Sequence, residues 1–348
     1  MIKQIAQIVG VSTATVRRAL NDFPDIGKET KERVKRTAKE LNYRPNFLAS
    51  AMITKKTMLI GVVVPELSTG FFPEIIDGIE DAANARGYHI LVAKHDYQDE
   101  KLRGAVEMFS RYQVDGLILA PSGYHLRAEL INEINCFQSP MVMIDDNVDT
   151  QGLTKRFTWV GVDDARLGEK VAAFLIAKGH RRFAFAGMDA SKYSIFKRCE
   201  GFRQGLARSG IKLEDSMLRM GGIDEESGRR IGAEMLAGGD LPDVVVCAVD
   251  IVAMGLMLHL LENGVKIPER LSVMGIGNLG FSHALPVPLT TVDQFPRQVG
   301  RNALEQVVAQ INGGVKADAV LFMESQIVER RSVAVFVGRR PQKLIKRL

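Results

Sequence analysis

The chain has little cysteine, few histidines and no long apolar run. Its three cysteines, Cys136, Cys199 and Cys247, are odd in number, far apart and without C-x-x-C spacing. That pattern fits buried, reduced thiols rather than a disulfide framework. The six histidines are scattered, and none has metal-ligand spacing. No convincing nucleophile–base pair or metal set stands out, so neither a metal nor a cofactor is expected. No apolar stretch is long enough to span a bilayer. Met1-Ile2-Lys3-Gln4 does not open a signal-peptide apolar run. The expected location is cytoplasmic, with no membrane partner.

What is present is ordinary globular material, unevenly charged. The 348 residues suggest two or three domains, and 46% apolar residues suffice for a large core. Residues 1–57 hold 12 Lys/Arg and 5 Asp/Glu, a net +7, against +5 for the whole chain and therefore −2 for the remainder. A basic amino-terminal module on a near-neutral body is the electrostatic footprint of a nucleic-acid-reading head.

The organising stretch is residues 3–21, which reads as two short helices joined by a tight turn. Ile5, Ala6, Ile8 and Val9 fall on one face of the first, and Gly10 ends it. Ser12 is placed to cap the second helix, whose apolar stripe is Val16, Ala19 and Leu20. The other positions, Thr13, Ala14, Thr15, Arg17 and Arg18, are small, hydroxylated or cationic, and they suit base edges and phosphates. This is the pattern of a helix-turn-helix. The same pattern also serves as the solvated face of an ordinary all-α domain.

A loop at 22–27 contains Pro24. A third helix over 28–41 follows, with Val34, Ala38 and Leu41 closing a small core. Lys31, Arg33, Lys35, Arg36 and Lys39 are expected to face outward, toward phosphates. Tyr43-Arg44-Pro45-Asn46 breaks that helix. Residues 47–57 suit one further short helix, marginal if isolated, with Leu48 and Met52 at i and i+4. An apolar side chain there can wedge between base steps from the minor groove; packing on the core is the alternative.

These residues resemble the LacI/GalR family of bacterial repressors. The likeness rests on Ile2-Lys3-x-Ile5-Ala6, Gly10-Val11-Ser12-x-Ala14-Thr15-Val16-x-Arg18-x-Leu20-Asn21, Tyr43-Arg44-Pro45-Asn46 and Ile60-Gly61-Val62-Val63-Val64-Pro65. It implies a helix-turn-helix head over 1–45, a hinge helix over 46–57, a two-lobed periplasmic-binding-protein-like core over 58–337 and a basic tail over 338–348. It also implies base-reading roles for Thr13, Ala14 and Arg18, with Thr15, Arg17 and Asn21 at the same DNA face, and intercalation by Met52. Arg17 stands where the family usually has serine, Ser50 where it has arginine, and Met52 where it has leucine. These departures bear on the operator sequence rather than on DNA binding itself.

From residue 59 onward, short Val/Ile/Leu-rich runs alternate with amphipathic stretches. Strands are expected at 59–64, 89–93, 115–120, 141–144, 158–162, 182–186, 243–247 and 272–276. Helices are expected at 72–86, 100–112, 165–178, 196–209 and 251–262, among others. The alternation implies parallel sheets in an α/β fold, and with the family resemblance the fold class is a small all-α head plus an α/β core of two doubly wound parallel-sheet lobes. Helix 296–311 and strand 320–328 would cross back to complete the lobes. A faint internal echo links Gly78-Ile79 and Gly87 to Gly201-Phe202 and Gly210.

Ligands in open α/β sheets bind beyond the carboxyl ends of strands. The loops there carry Phe71 and Phe72, Ser122, Asp145 and Asp146, Lys192 with Lys197 and Arg198 just after, and Gly277 with Asn278. The family resemblance places the arginine before Cys199-Glu200-Gly201-Phe202, which is Arg198, against the effector. Val249 replaces a usual polar residue, and Gly277 replaces an aspartate that commonly binds hydroxyls. Losing that carboxylate beside Arg198 and Lys192 would favour a sugar acid or sugar phosphate. Gly275-Ile276-Gly277-Asn278-Leu279-Gly280 also looks like the corresponding stretch of gluconate-type members. It is a G-x-G-x-x-G as well, which opens a competing reading as an NAD(P)-dependent oxidoreductase. That motif should open a helix, yet Pro286 and Pro288 follow. A solute-binding protein is the third reading, disfavoured by the basic head.

The expectation is a homodimeric regulator, most simply a repressor. It would bind a near-palindromic double-stranded operator and respond to a small effector between its lobes.

Overall fold

The computed structural model describes all residues except 44–53, 55, 122, 124–125, 147–150, 155–156, 315–318 and 336–348. The chain forms two compact units, Met1–Leu59 with Gln113–Asp115, and Ile60–Tyr112 with Gly116–Leu348.

In the first unit, α1 spans Ile2–Val9, α2 Thr13–Leu20 and α3 Lys28–Glu40. Gly10 ends α1 in the left-handed region at φ 73°, where a side chain would be strained. The Ser12 hydroxyl caps α2 by accepting from the Thr15 N–H at 3.0 Å. Ile5, Ala6, Val9, Val16, Ala19, Val34 and Ala38 form the core of this three-helix unit. Ile8 is not on the buried face: it is 60% exposed, because Ile5 and Val9 already occupy the inward i, i+4 positions. Arg33 is exposed but not idle, as it donates to the Val9 carbonyl at 2.9 Å and satisfies an end of α1.

The second unit carries two parallel sheets. Its first lobe is built from β1 (Leu59–Val64), α4 (Phe71–Asn84), β2 (His89–Lys94), α5 (Asp99–Arg111), β3 (Gly116–Leu119), α6 (Ala128–Cys136), β4 (Met141–Ile144) and β5 (Thr158–Val162). The second lobe contains α7 (Asp164–Ala177), β6 (Phe183–Met188), α8 (Tyr193–Ala207), β7 (Leu218–Met220), α9 (Glu225–Gly238), β8 (Val244–Cys247), α10 (Asp250–Glu262) and β9 (Ser272–Met274). The chain then runs through β10 (Thr291–Asp293), α11 (Pro296–Ile311), β11 (Val320–Met323) and β12 (Gln326–Val328). The first sheet has the order β11-β5-β4-β3-β1-β2, and the second β7-β6-β8-β9. Strand β1 lies parallel to β3, and β6 parallel to β8, so each pair needs a crossover connection rather than a hairpin.

Three details differ from the expectations. Segment 320–328 is two strands rather than one, since β11 joins the first sheet while β12 pairs antiparallel with β10. Strand β9 stops at Met274, before Gly277 at φ 137° turns the chain. Cys136, at the end of α6, is exposed; only Cys199 and Cys247 are buried thiols.

Helices pack in close pairs through glycine. A Cβ on Gly201 of α8 would lie 1.9 Å from the Ala165 carbonyl of α7, and one on Gly78 of α4 would lie 2.1 Å from the Arg297 carbonyl of α11. Gly168, Gly300, Gly228 and Gly255 make the reciprocal or equivalent approaches. The internal echo therefore has a physical origin. In each lobe a glycine of the echo, Gly78 or Gly201, lets two helix backbones touch, and a second, Gly87 or Gly210, ends the segment at φ near 70°.

Candidate functional site

The outer face of α2 carries the residues singled out for DNA. Thr13, Ala14, Arg17 and Arg18 are exposed, while Thr15 and Asn21 are partly buried. Thr15 shares a hydroxyl–hydroxyl bond with Ser12 at 2.9 Å, and the Asn21 amide donates to the Arg17 carbonyl at 2.8 Å. These two hold the turn as well as facing outward. The Arg18 guanidinium pairs with Asp25 at 2.7 Å and lies over the Phe23 ring. To reach a base it must exchange that carboxylate for one. Met52 and the 46–57 hinge lie outside the described residues, apart from Thr54 and residues 56–57, as does the tail.

The second unit holds a cavity with about 690 Å³ of empty space, its open mouth included. Arg198 projects from α8 at its floor and is 4% exposed. Its Nε donates to Asp164 at 2.7 Å, one Nη to the Ala248 carbonyl at 3.1 Å, and the other to the Gln294 amide oxygen at 3.4 Å. A guanidinium has five N–H donors, so two remain for a ligand. Burial opposes its charge, but Asp164, Asp145 and Asp146 more than offset this and raise its pKa. Burial lifts the Asp164 carboxyl to about 6 against the pull of Arg198.

Contacts among the described residues join the lobes across the cavity. Asp146, at the end of β4, accepts from the Ser194 N–H at 2.9 Å. The Lys192 ammonium sits 3.4 Å from the centre of the Tyr97 ring. Burial lowers the Lys192 pKa despite nearby Asp189, Asp146 and Asp145. Burial, then the neighbouring charge of Asp146, pushes Asp145 well above the carboxylate range. Burial likewise raises Asp146. Asp145 is also held at φ 66°, a conformation that side chains rarely adopt. Burial would raise Glu66, but hydrogen bonds from Ser68 and Thr69 outweigh it and keep its pKa low.

Phe71, Phe72, Asp146, Lys192 and Arg198 all line this one cavity. Asn278 does not. Its amide nitrogen donates to Asp293 at 3.0 Å and its oxygen accepts from Arg330 at 2.7 Å. Ser122 lies outside the described residues. Lys197 pairs with Glu200 at 2.8 Å. The glycine stretch at 275–280 opens no helix. A Cβ on Gly275 would instead lie 2.1 Å from Asp250, which accepts from Leu279 N–H, Ser282 and Thr291. The stretch is a packing seam on Asp250, without the helix N-terminus that a pyrophosphate needs.

Residues 1–46 match the family model for bacterial regulatory proteins of the lacI family, and residues 57–328 match that for periplasmic binding proteins and the sugar binding domain of the LacI family. The chain belongs to the LacI family. It is a ligand-responsive, DNA-binding transcription repressor with no enzyme among the relatives named here. It is 31% identical to the transcriptional regulator RegA of Clostridium saccharobutylicum, covering 95% of this chain and 98% of that one. It is 30% identical to the transcriptional repressor PurR of Vibrio atlanticus over the same shares of each. The lac repressor dimer bound to operator and the anti-inducer ONPF superposes at a TM-score of 0.83 with 25% identity, covering 96% of this chain and 99% of that one.

Sequence reasoning missed several cavity residues of this LacI-family repressor. Tyr97 follows β2, and reading that loop by the rule applied to the others would have found it. Asp164, which opens the helix after β5, is not a lining residue itself, but only the fold shows that it holds Arg198. Gln294 comes from the β10–α11 crossover and has no local signature. Glu66 lies just before the loop that carries Phe71 and Phe72, and Thr69 lies within it. Among the described residues no helix is long and apolar enough to cross a membrane.

Proposed function

We propose that this repressor acts as a homodimer on a near-palindromic operator and is governed by a sugar acid bound in the Arg198 cavity. The observation that carries the effector class is the mixed charge of the polar wall. The cavity is not simply positive, because Glu66, Asp145 and Asp146 line it together with Lys192 and Arg198. A dianionic phosphate would meet those carboxylates. A molecule with several hydroxyls and one carboxylate suits them better. Its hydroxyls would donate to Asp145 and Asp146, and its carboxylate would take the spare donors of Arg198 and neutralise Lys192. Of the 275–280 stretch, Ile276, Gly277 and Leu279 reach the lining.

In this reading Thr13, Ala14, Arg17 and Arg18 read the major groove and Met52 wedges the minor groove at the hinge. Effector binding must favour one lobe arrangement over another to change DNA affinity. The test is a thermal-shift screen of the whole protein against sugars, sugar acids and sugar phosphates. A ligand at 100 times its dissociation constant stabilises by about 2.7 kcal/mol. A selective shift with sugar acids is expected. A shift only with neutral sugars or phosphates would overturn the effector class. Met52→Ala should weaken specific DNA binding more than non-specific binding; equal losses would remove the wedge.

A further inference from the structure

The loop after α2 holds two carboxylates, Asp22 and Asp25, and the head uses them differently. Asp22 is tied to α3. Its carboxylate oxygens accept from the Lys35 ammonium at 2.5 and 2.7 Å, and its carbonyl accepts from Lys31 at 3.1 Å. Asp25 instead meets Arg18, a residue of the outer face of α2, at 2.7 Å. About half of each of these two side chains is exposed, Arg18 at 49% and Asp25 at 48%.

The backbone fixes this placement. The Phe23 N–H donates to the Arg18 carbonyl at 3.0 Å, which pins the loop to the end of α2. Pro24 presets its own φ, and the Ile26 N–H closes a turn onto the Phe23 carbonyl at 3.3 Å. Ile26 then packs against the core of the head. The Phe23 ring lies 5.1 Å from the guanidinium carbon of Arg18. Arg18 and Asp25 therefore reach the surface together, as one polar unit.

In a major groove the two members of that unit have opposite requirements. Guanine presents two acceptors, O6 and N7, which an arginine takes as a pair. When Arg18 exchanges Asp25 for a guanine, the freed carboxylate is left among phosphates. An ionised carboxylate only accepts, so without a donor it would lose water and gain nothing. The base-edge donors within the groove are the amino groups N4 of cytosine and N6 of adenine. Guanine and thymine present acceptors or a methyl group there and would leave Asp25 unpaired.

We infer that Asp25 is itself a base-reading residue. It accepts from the amino group of a cytosine or adenine next to the guanine taken by Arg18, and so selects a second operator position. This inference rests on the major-groove reading of Arg18 given above and adds the neighbouring base to it.

The experiment lets the full-length wild type, Asp25→Ala and Arg18→Ala each select duplexes from the same random pool, with base frequencies read at every position. The wild type should enrich a guanine whose neighbouring position is confined to cytosine or adenine. Asp25→Ala should keep the guanine and relax the neighbouring preference by about fivefold or more, the lower end of what one base contact is worth. Loss of a negative charge should also tighten its binding, equally on every sequence. Frequencies are compared within one pool, so changes in overall affinity or folded fraction cancel. An Asp25→Ala pool with the wild-type preference at every position would overturn the inference, as would a wild-type neighbouring position confined to guanine or thymine. If Arg18→Ala has meanwhile lost the guanine, the major-groove reading still stands. An Arg18→Ala pool with the wild-type preferences would overturn that reading and the inference with it.

Discussion

Replacing Arg198 with Met removes one half of a buried ion pair and leaves the other half in place. The Arg198 and Asp164 side chains are 5% and 8% exposed, and Nε lies 2.7 Å from the carboxylate. Breaking such a pair by removing one partner costs about 3–5 kcal/mol, chiefly because a buried charge is stranded. Two further donations, to Ala248 and Gln294, are lost with it. The stranded group can escape by taking a proton, which fixes the pH dependence. The folded-state pKa of Asp164 is raised to about 6 from its ordinary 3.8. A carboxyl so raised binds its proton more tightly when folded. Its contribution is therefore full below about 4 and is lost as pH rises through about 6. Without Arg198 the value moves higher still, so Arg198→Met should cost less stability at pH 5 than at pH 7.5. Asp145 and Asp146 titrate nearby, so the quantity to compare is the difference from wild type at each pH, read from urea midpoints. The double variant Arg198→Met, Asp164→Leu should recover most of the loss, because an apolar pair of similar volume replaces a buried ion pair at little cost. A loss below about 1 kcal/mol, equal at both pH values and not recovered in the double variant, would refute the reasoning.

Other outcomes follow from packing and capping. Gly201→Ala would put a Cβ 1.9 Å from the Ala165 carbonyl, and forcing α7 and α8 apart should cost at least about 1–3 kcal/mol by thermal unfolding. Gly104→Ala, on the exposed side of α5 with nothing within 4 Å, should instead stabilise by about 0.5–1 kcal/mol in the same assay. Ser12→Ala removes the cap of α2 and should cost the head about 1 kcal/mol. Asp25→Asn releases Arg18 from its ion pair; non-specific DNA binding should tighten, measured by anisotropy on a random duplex.

Much of this molecule is written in local pattern. The helix-turn-helix was legible because Gly10, Ser12 and the Val16–Ala19 stripe each act within a few residues. The alternation of strands and helices was legible because parallel sheets need continuous apolar runs, and β1, β3, β4 and β8 have them. What local pattern hid is what two distant segments do to each other. Ile8 looked like core until α3 filled the space beside Ile5 and Val9. Asn278 looked like a ligand contact until Asp293 and Arg330 took its amide. The net charge of the cavity could not be judged from Gly277 alone, because Glu66 arrives from another loop and lines the cavity together with Asp145 and Asp146. Conversely, the glycine echo carried more than its letters, since Gly78 and Gly201 perform the same close helix crossing in the two lobes.

Sequence-specific DNA binding by the basic head is what makes this LacI-family protein a repressor. The most direct measurement is the affinity of the full-length protein for a duplex enriched from a random pool, followed across salt concentration. The account predicts an enriched near-palindromic duplex whose affinity falls steeply with salt through counterion release. An absence of any enriched duplex, with a response flat in salt, would contradict it.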